Sequence, residues 1–460
     1  MTVLRERLAP TRRLRELRRE FDRAIFVLAA GDLVASFGFS LVFPFLTIYL
    51  TAELGATALA AGAVVGLYAV VSIVSNAVGG WLADRVGRKP VMVVSIILTA
   101  ATVAAMGLVR DLAWVAALTL LLGLVDPPFV PAARAAVADV VPVERRPRAY
   151  GLLAMASSVG WIAGPSVGAG LSNLGYGVLF VTAGVIIAGY AVILVVGLRE
   201  TRPGIHPAAG VPGPADVAGQ AGEGGPGIAG IAGEGAPALP AAPPASSPPA
   251  GAAVRGGARP LGPRRILALF LLLAVAVHAA SFQWVVTLPI HAHARLDVST
   301  ATWGLLFALN GILIFVFQLR VASLAERRSR PRFMAVGMAW YGLGYLVIGI
   351  VPGTDLAIAA LAGTVVLATL GEMFVFPVET SFVSELSPPA LRGRYQGYLG
   401  AAMGLGSAIG PVAGGLVLDV APGATLWLAT AATCAGIAAG LWWLGGRVPP
   451  APDEGGTTPV

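Results

Sequence analysis

Leu122-Gly123-Leu124-Val125-Asp126-Pro127-Pro128-Phe129-Val130-Pro131 has a counterpart 246 residues on, Ala368-Thr369-Leu370-Gly371-Glu372-Met373-Phe374-Val375-Phe376-Pro377. The same step carries Asp139 onto Glu385, Pro142 onto Pro388, Arg146 onto Arg392 and Arg148 onto Arg394. It then carries Gly160, Gly164, Pro165 and Gly168 onto Gly406, Gly410, Pro411 and Gly414 without a gap. Two halves of one chain therefore carry one design. Each copy sets a carboxyl beside proline inside an apolar run, where charge is costly and marks a functional site by default.

Outward from that repeat, the chain of 460 residues is 57% hydrophobic and 12% charged, with a mean hydropathy of +0.80. Soluble domains carry about twice that share of charge, so the composition describes an integral membrane protein. A helix of about 20 apolar residues crosses a bilayer. Twelve such stretches can be read, near 24–50, 60–82, 90–109, 113–138, 149–171, 178–198, 265–290, 301–320, 332–351, 356–383, 395–418 and 423–445. The expected fold is all-α and membrane-integral, with two pseudo-symmetric six-helix bundles at 23–200 and 264–446. A basic segment at 1–22, an Ala/Gly/Pro-rich linker at 201–263 and a tail at 447–460 complete the chain. The linker lacks the apolar side chains to form a core and reads as disordered.

Basic residues fix the orientation. With both termini cytoplasmic, only Arg110 and Arg295 of the 31 Lys and Arg residues fall on the outer side. The formal net charge of +7 then reflects topology and contact with anionic lipid rather than a nucleic-acid surface. A single cysteine, Cys434, excludes a disulfide framework within one chain. His291 and His293 lack the further ligands a metal site needs, Asp297 aside, and read as an exposed loop. No metal or cofactor is expected, and no nucleophile is paired with a base as an enzyme would require.

The ionisable side chains deep in apolar stretches are Asp32, Asp126, His278, Glu372 and Glu379. They fall in stretches 1, 4, 7 and 10, the first and fourth of each half. That symmetric set implies a polar cavity between the halves. Removal from water favours the neutral form of an acid, so a carboxyl there can hold a proton and give it up when a cation arrives. Asp126, Glu372, Asp32 and Glu379 are thus the expected proton-coupling groups. Phe43, Phe129, His278, Gln283, Trp284, Met373 and Phe376 are the expected cavity wall, which suits cationic or neutral amphipathic cargo.

Between stretches 2 and 3 the chain reads Gly80-Trp81-Leu82-Ala83-Asp84-Arg85-Val86-Gly87-Arg88-Lys89. This resembles the loop signature of the major facilitator superfamily, Gly-x-x-x-Asp-Arg-x-Gly-Arg-Lys, at every fixed position. A worn copy 242 residues later retains Glu326 and Arg327 without the glycines. In stretch 5, Gly160, Gly164, Pro165 and Gly168 are similar to the superfamily's antiporter signature, and Ala169 stands where that pattern has its last glycine. In the second copy Gly406, Gly410, Pro411 and Gly414 are followed by an intact Gly415.

The resemblance implies a proton-driven exporter of drug-like compounds in the cell membrane, working by alternating access and as a monomer. Gly80, Asp84, Arg85, Gly87, Arg88, Glu326 and Arg327 would then form its cytoplasmic gating loops. The basic residue that the family often places in helix 4 is missing, the position near Leu120 being apolar. That moves the expected proton site to Asp126 and Glu372. The alternatives are a transporter of one specific small metabolite, or a receptor or enzyme built on the same fold.

Overall fold

The computed structural model describes residues 21–142, 145–201, 262–325, 328–351, 356–388 and 391–448. Among them twelve helical spans are long and apolar enough to cross a membrane, and no strand occurs. The first half contains α1 (Arg23–Val42), α2 (Ala58–Val86), α3 (Arg88–Leu108), α4 (Leu112–Val125, resuming as Phe129–Val140), α5 (Arg146–Ser172) and α6 (Tyr176–Gly197). The second contains α7 (Pro263–Leu296), α8 (Thr300–Ala325), α9 (Arg330–Ile350), α10 (Ala357–Leu386), α11 (Arg392–Val420) and α12 (Gly423–Gly445). Beyond α1 the chain stays helical to Glu53, through a 3-10 turn at Phe43–Phe45, the short helix Leu46–Ile48 and a π turn at Tyr49–Glu53.

Small residues decide how these helices meet. Gly160, Gly164 and Gly168 of α5 lie on the backbone of α1, where an added Cβ would come within 2.7 Å of Leu33 O, 2.8 Å of Phe37 O and 3.0 Å of Leu41 O. Gly406 and Gly410 of α11 lie on the α7 backbone at Val275 and Ala279 in the same way, and Gly414 meets the Gln283 side chain. Such spacing lets two helices pack backbone to backbone. The prolines of the same motif face the other half: the Pro165 carbonyl meets Gly304 of α8 and the Pro411 carbonyl meets Gly62 of α2. One signature thus builds both the packing within each half and the α5–α8 and α2–α11 seams between the halves.

These contacts also reveal a change of register. Gly62 pairs with Gly304, and Leu33 with Val275, at a step of 242, whereas α5 pairs with α11 at 246. The extra residues lie in the connection 351–356 before α10, which is longer than the connection 109–111 before α4. By this register the counterpart of His278 is Ser36, each set against the first glycine of its motif.

α4 breaks where two prolines follow Asp126, since neither Pro127 nor Pro128 can donate a helical hydrogen bond. The carbonyls so released find hydroxyls on neighbouring helices. Ser75 of α2 donates to Leu124 O, and Ser95 of α3 donates to Val125 O at 2.5 Å and to Asp126 O at 3.1 Å. Gly79 gives the break its room, because a Cβ there would overlap Pro128. α10 has Met373 and Phe374 in the corresponding places, and it stays continuous past Pro377.

Candidate functional site

Between the halves lies a cavity of about 350 Å³, within the range of small-molecule sites. Phe43 comes from α1's extension, Ser157, Ser158 and Trp161 from α5, Ser281, Phe282, Trp284 and Val285 from α7, Phe307, Asn310, Gly311 and Ile314 from α8, and Glu372 and Phe376 from α10. The wall has one charged group, Glu372, and no cationic side chain. Asn310 holds that carboxyl: its Nδ2 donates to Glu372 Oε2 at 3.0 Å and to Thr369 Oγ1 at 3.0 Å. Aromatic rings form a string across the seam. Phe43 meets Trp161 edge-on at 6.1 Å, Trp161 stacks on Phe307 at 6.2 Å, and Phe307 stacks on Trp284 at 5.0 Å. A carboxyl facing aromatic planes suits an apolar cation, which gains from both charge and ring quadrupole.

Of the wall expected from the sequence, Phe43, Trp284 and Phe376 are present, whereas Phe129, His278, Gln283 and Met373 stand elsewhere. Phe129 packs on Tyr190 of α6 at 5.4 Å. Gln283 points into α11, its amide nitrogen Nε2 donating to Gly410 O at 2.7 Å. Met373 is buried and absent from the wall. His278 sits behind the wall, its Nε2 donating to Glu379 Oε1 at 3.1 Å and Oε2 at 3.2 Å. The four-helix lining expected from the charges is corrected likewise: α4 contributes nothing to this wall, and α5 and α8 take its place.

Asp126 stays inside the first half. Its side chain faces Thr99 of α3, with Oγ1 at 3.5 Å, and lies near Tyr68 of α2. Asp32 lies near Tyr190 of α6, also off the wall. The acids were visible in the sequence, but their directions were not, because helices apolar on every side give no facing signal. Ser157, Ser158, Phe307, Asn310 and Gly311 were not in the expected wall, because α5 and α8 carry no mid-span charge to draw attention to them. The signal that could have found Asn310 is an amide next to glycine in mid-span.

The loop motif forms a junction at the basic end of the first half. Arg88 Nη1 donates to Asp84 Oδ1 at 2.8 Å and to Ala83 O at 2.7 Å, and its Nε donates to Asp139 Oδ2 at 3.1 Å. Gly87, at φ 120°, makes the turn from α2 into α3, a conformation open to glycine. Glu200 accepts from Arg88 N and Lys89 N at the start of α3, and Arg85 lies over the Trp81 ring at 4.2 Å. In the second half Arg330, the counterpart of Arg88, pairs with Glu385, the counterpart of Asp139. Glu326 and Arg327 lie outside the described residues.

At the opposite end the halves are tied together. Asp419 of α11 accepts from Ala58 N and Leu59 N at 2.9 Å each, at the start of α2. Tyr176 and Thr300 share a hydrogen bond of 3.0 Å, and Trp303 Nε1 donates to Pro44 O at 3.2 Å.

The major facilitator superfamily profile matches residues 28–330 and 271–459. The chain belongs to that superfamily, and it is a multi-pass membrane transporter of small molecules. It is 23% identical over 406 residues to the uncharacterized MFS-type transporter YqjV of Bacillus subtilis (strain 168), covering 86% of each chain. It is 24% identical over 405 residues to the multidrug resistance protein MdtH of Escherichia coli O9:H4 (strain HS), again covering 86% of each. Its fold is similar to that of the nucleoside transporter NupG (TM-score 0.67, 14% identity, 92% of this chain and 98% of that one). It is also similar to that of the peptide transporter POT in complex with sulfate (TM-score 0.65, 18% identity, 92% and 93%).

Proposed function

We propose that the protein is a proton-coupled efflux antiporter for lipophilic cationic or neutral compounds, and that Glu372 is where cargo and proton exclude one another. The observation that carries this reading is a single carboxyl, held by Asn310, in an aromatic cavity whose wall has no base. A cation entering the cavity meets that charge out of bulk water, where the attraction is strongest. A proton on the carboxyl removes the attraction, so the two compete and their movements become linked.

Direction follows from orientation. The arginine-rich loops place their end in the cytoplasm by the usual loop bias, both termini with it, in the cell membrane. The ties at Asp419, Tyr176 and Trp303 then close the outer face, which suits loading from inside. The similarity to a multidrug resistance protein agrees with export. The proton gradient supplies the drive, and the monomer holds a whole cavity. Asp126 and Asp32, away from the wall, are not assigned to the exchange.

The test is purified protein in proteoliposomes under an imposed pH gradient, with ethidium as the probe. The wild type should exchange ethidium for protons, and Glu372→Gln should lower the exchange at least about tenfold, the equivalent of about 1.4 kcal/mol. Equal exchange by both proteins would overturn the assignment.

A further inference from the structure

We infer that the buried His278–Glu379 pair is a second proton-holding site, so that two protons are exchanged for each monovalent cation. The inference rests on the reading of Glu372 given above and adds the stoichiometry.

The pair is buried, with His278 3% and Glu379 1% exposed, and among the described residues each is the other's ion-pair partner. A net charge in such a place is costly, whereas a pair sharing one proton is neutral overall, so an added proton is held only while no other cation stands beside it. The pair also touches the cargo site. Phe376, whose ring belongs to the cavity wall, lies flat on the imidazole with centroids 5.2 Å apart and planes 10° from parallel.

The arrangement is confined to one half. Ser36, the counterpart of His278, makes an uncharged contact with Ser157 at 2.6 Å, and Ala133 stands where Glu379 would fall. A neutral contact therefore meets the packing needs at this level of the fold, and the second half carries titratable groups beyond that need.

The exchange then runs as follows. One added proton turns the neutral pair into a cation, His278 carrying two N–H groups and Glu379 an O–H. A cargo cation lodged between Glu372 and Phe376 repels that charge, so the extra proton leaves toward the side from which cargo came. Departure of the cargo to the other side lets a proton from there replace it. Only N–H and O–H bonds form and break. Of the elements packed on the pair, α10 brings Glu372, two turns or about 10 Å away, and α11 presents Gly406.

Two protons inward against one cation outward move one net charge per cycle, and one proton would move none. The experiment is the reversal potential of ethidium–proton exchange in proteoliposomes, with pH gradient and membrane potential set independently. At a ratio of two, each 100 mV, inside negative, raises the equilibrium ethidium gradient about 50-fold. The doubly neutral His278→Gln, Glu379→Gln variant should keep exchange driven by the pH gradient and lose the response to voltage. Asp126→Asn should keep both.

A voltage-insensitive wild type overturns the inference, and so does a voltage response that survives in the double variant or vanishes in Asp126→Asn. If the double variant does not assemble, the wild type and Asp126→Asn decide. Failure of the underlying reading looks different: Glu372→Gln would then exchange like the wild type, whatever the voltage response.

Discussion

α4 and α10 descend from one pattern, each with a carboxyl in mid-span, yet one is broken and the other is not. In α4 two prolines follow Asp126, and the Leu124 and Val125 carbonyls are handed to Ser75 and Ser95 on neighbouring helices. In α10 the helix runs on from Glu372, and the carboxyl lies on the cavity wall with Asn310 as its partner. The difference teaches that repeated acids need not share a task. A helix broken at its acid needs neighbours to satisfy its backbone, and those neighbours draw the side chain into their own half.

The sharpest way to break this comparison is cargo affinity, measured by ethidium binding in detergent. Glu372→Gln should weaken binding about tenfold or more, while Asp126→Asn should leave it within about twofold. Equal losses would mean that α4 reaches the cargo after all. Thermal unfolding probes the broken helix itself. Ser95→Ala strips the Val125 carbonyl of its hydroxyl partner, while Asp126 O keeps the Phe129 N–H, and should cost about 1–3 kcal/mol. Ser407→Ala, which removes a hydroxyl bonded only within α11, should stay within about 0.5 kcal/mol. A smaller effect than that of Ser95 belongs to the outer tie. Asp419→Ala removes a helix cap that spans the halves and should favour opening by about 0.5–2 kcal/mol. Spin labels on the two halves at that end would register it as a larger share of long distances.

Much of the architecture was legible because the bilayer imposes its own ruler: apolar runs of fixed length, basic loops on one side and a repeat that names the halves. Two adjacent prolines, Pro127 and Pro128, are also a local sign of a broken helix. Its consequence was not legible, since Ser75 and Ser95 belong to other helices and nothing local ties them to Leu124 or Val125. The cavity was half legible. Glu372, Phe43, Trp284 and Phe376 stand out as charge or bulk, but α5 reads as a packing helix because its glycines dominate the pattern. In fact those glycines take one face of α5, against α1, and leave Ser157, Ser158 and Trp161 for the cavity. The register could have been caught, because the loop motif already repeated at 242 while the acids repeated at 246.

Asp419 grips α2 through main-chain N–H groups, which every residue but proline supplies whatever its side chain. Half of that clasp is therefore invisible to a comparison of sequences: the bond itself makes no demand on the side chains at positions 58 and 59. A search for paired substitutions across the seam would find no side-chain partner for these two bonds, although they join one half of the molecule to the other.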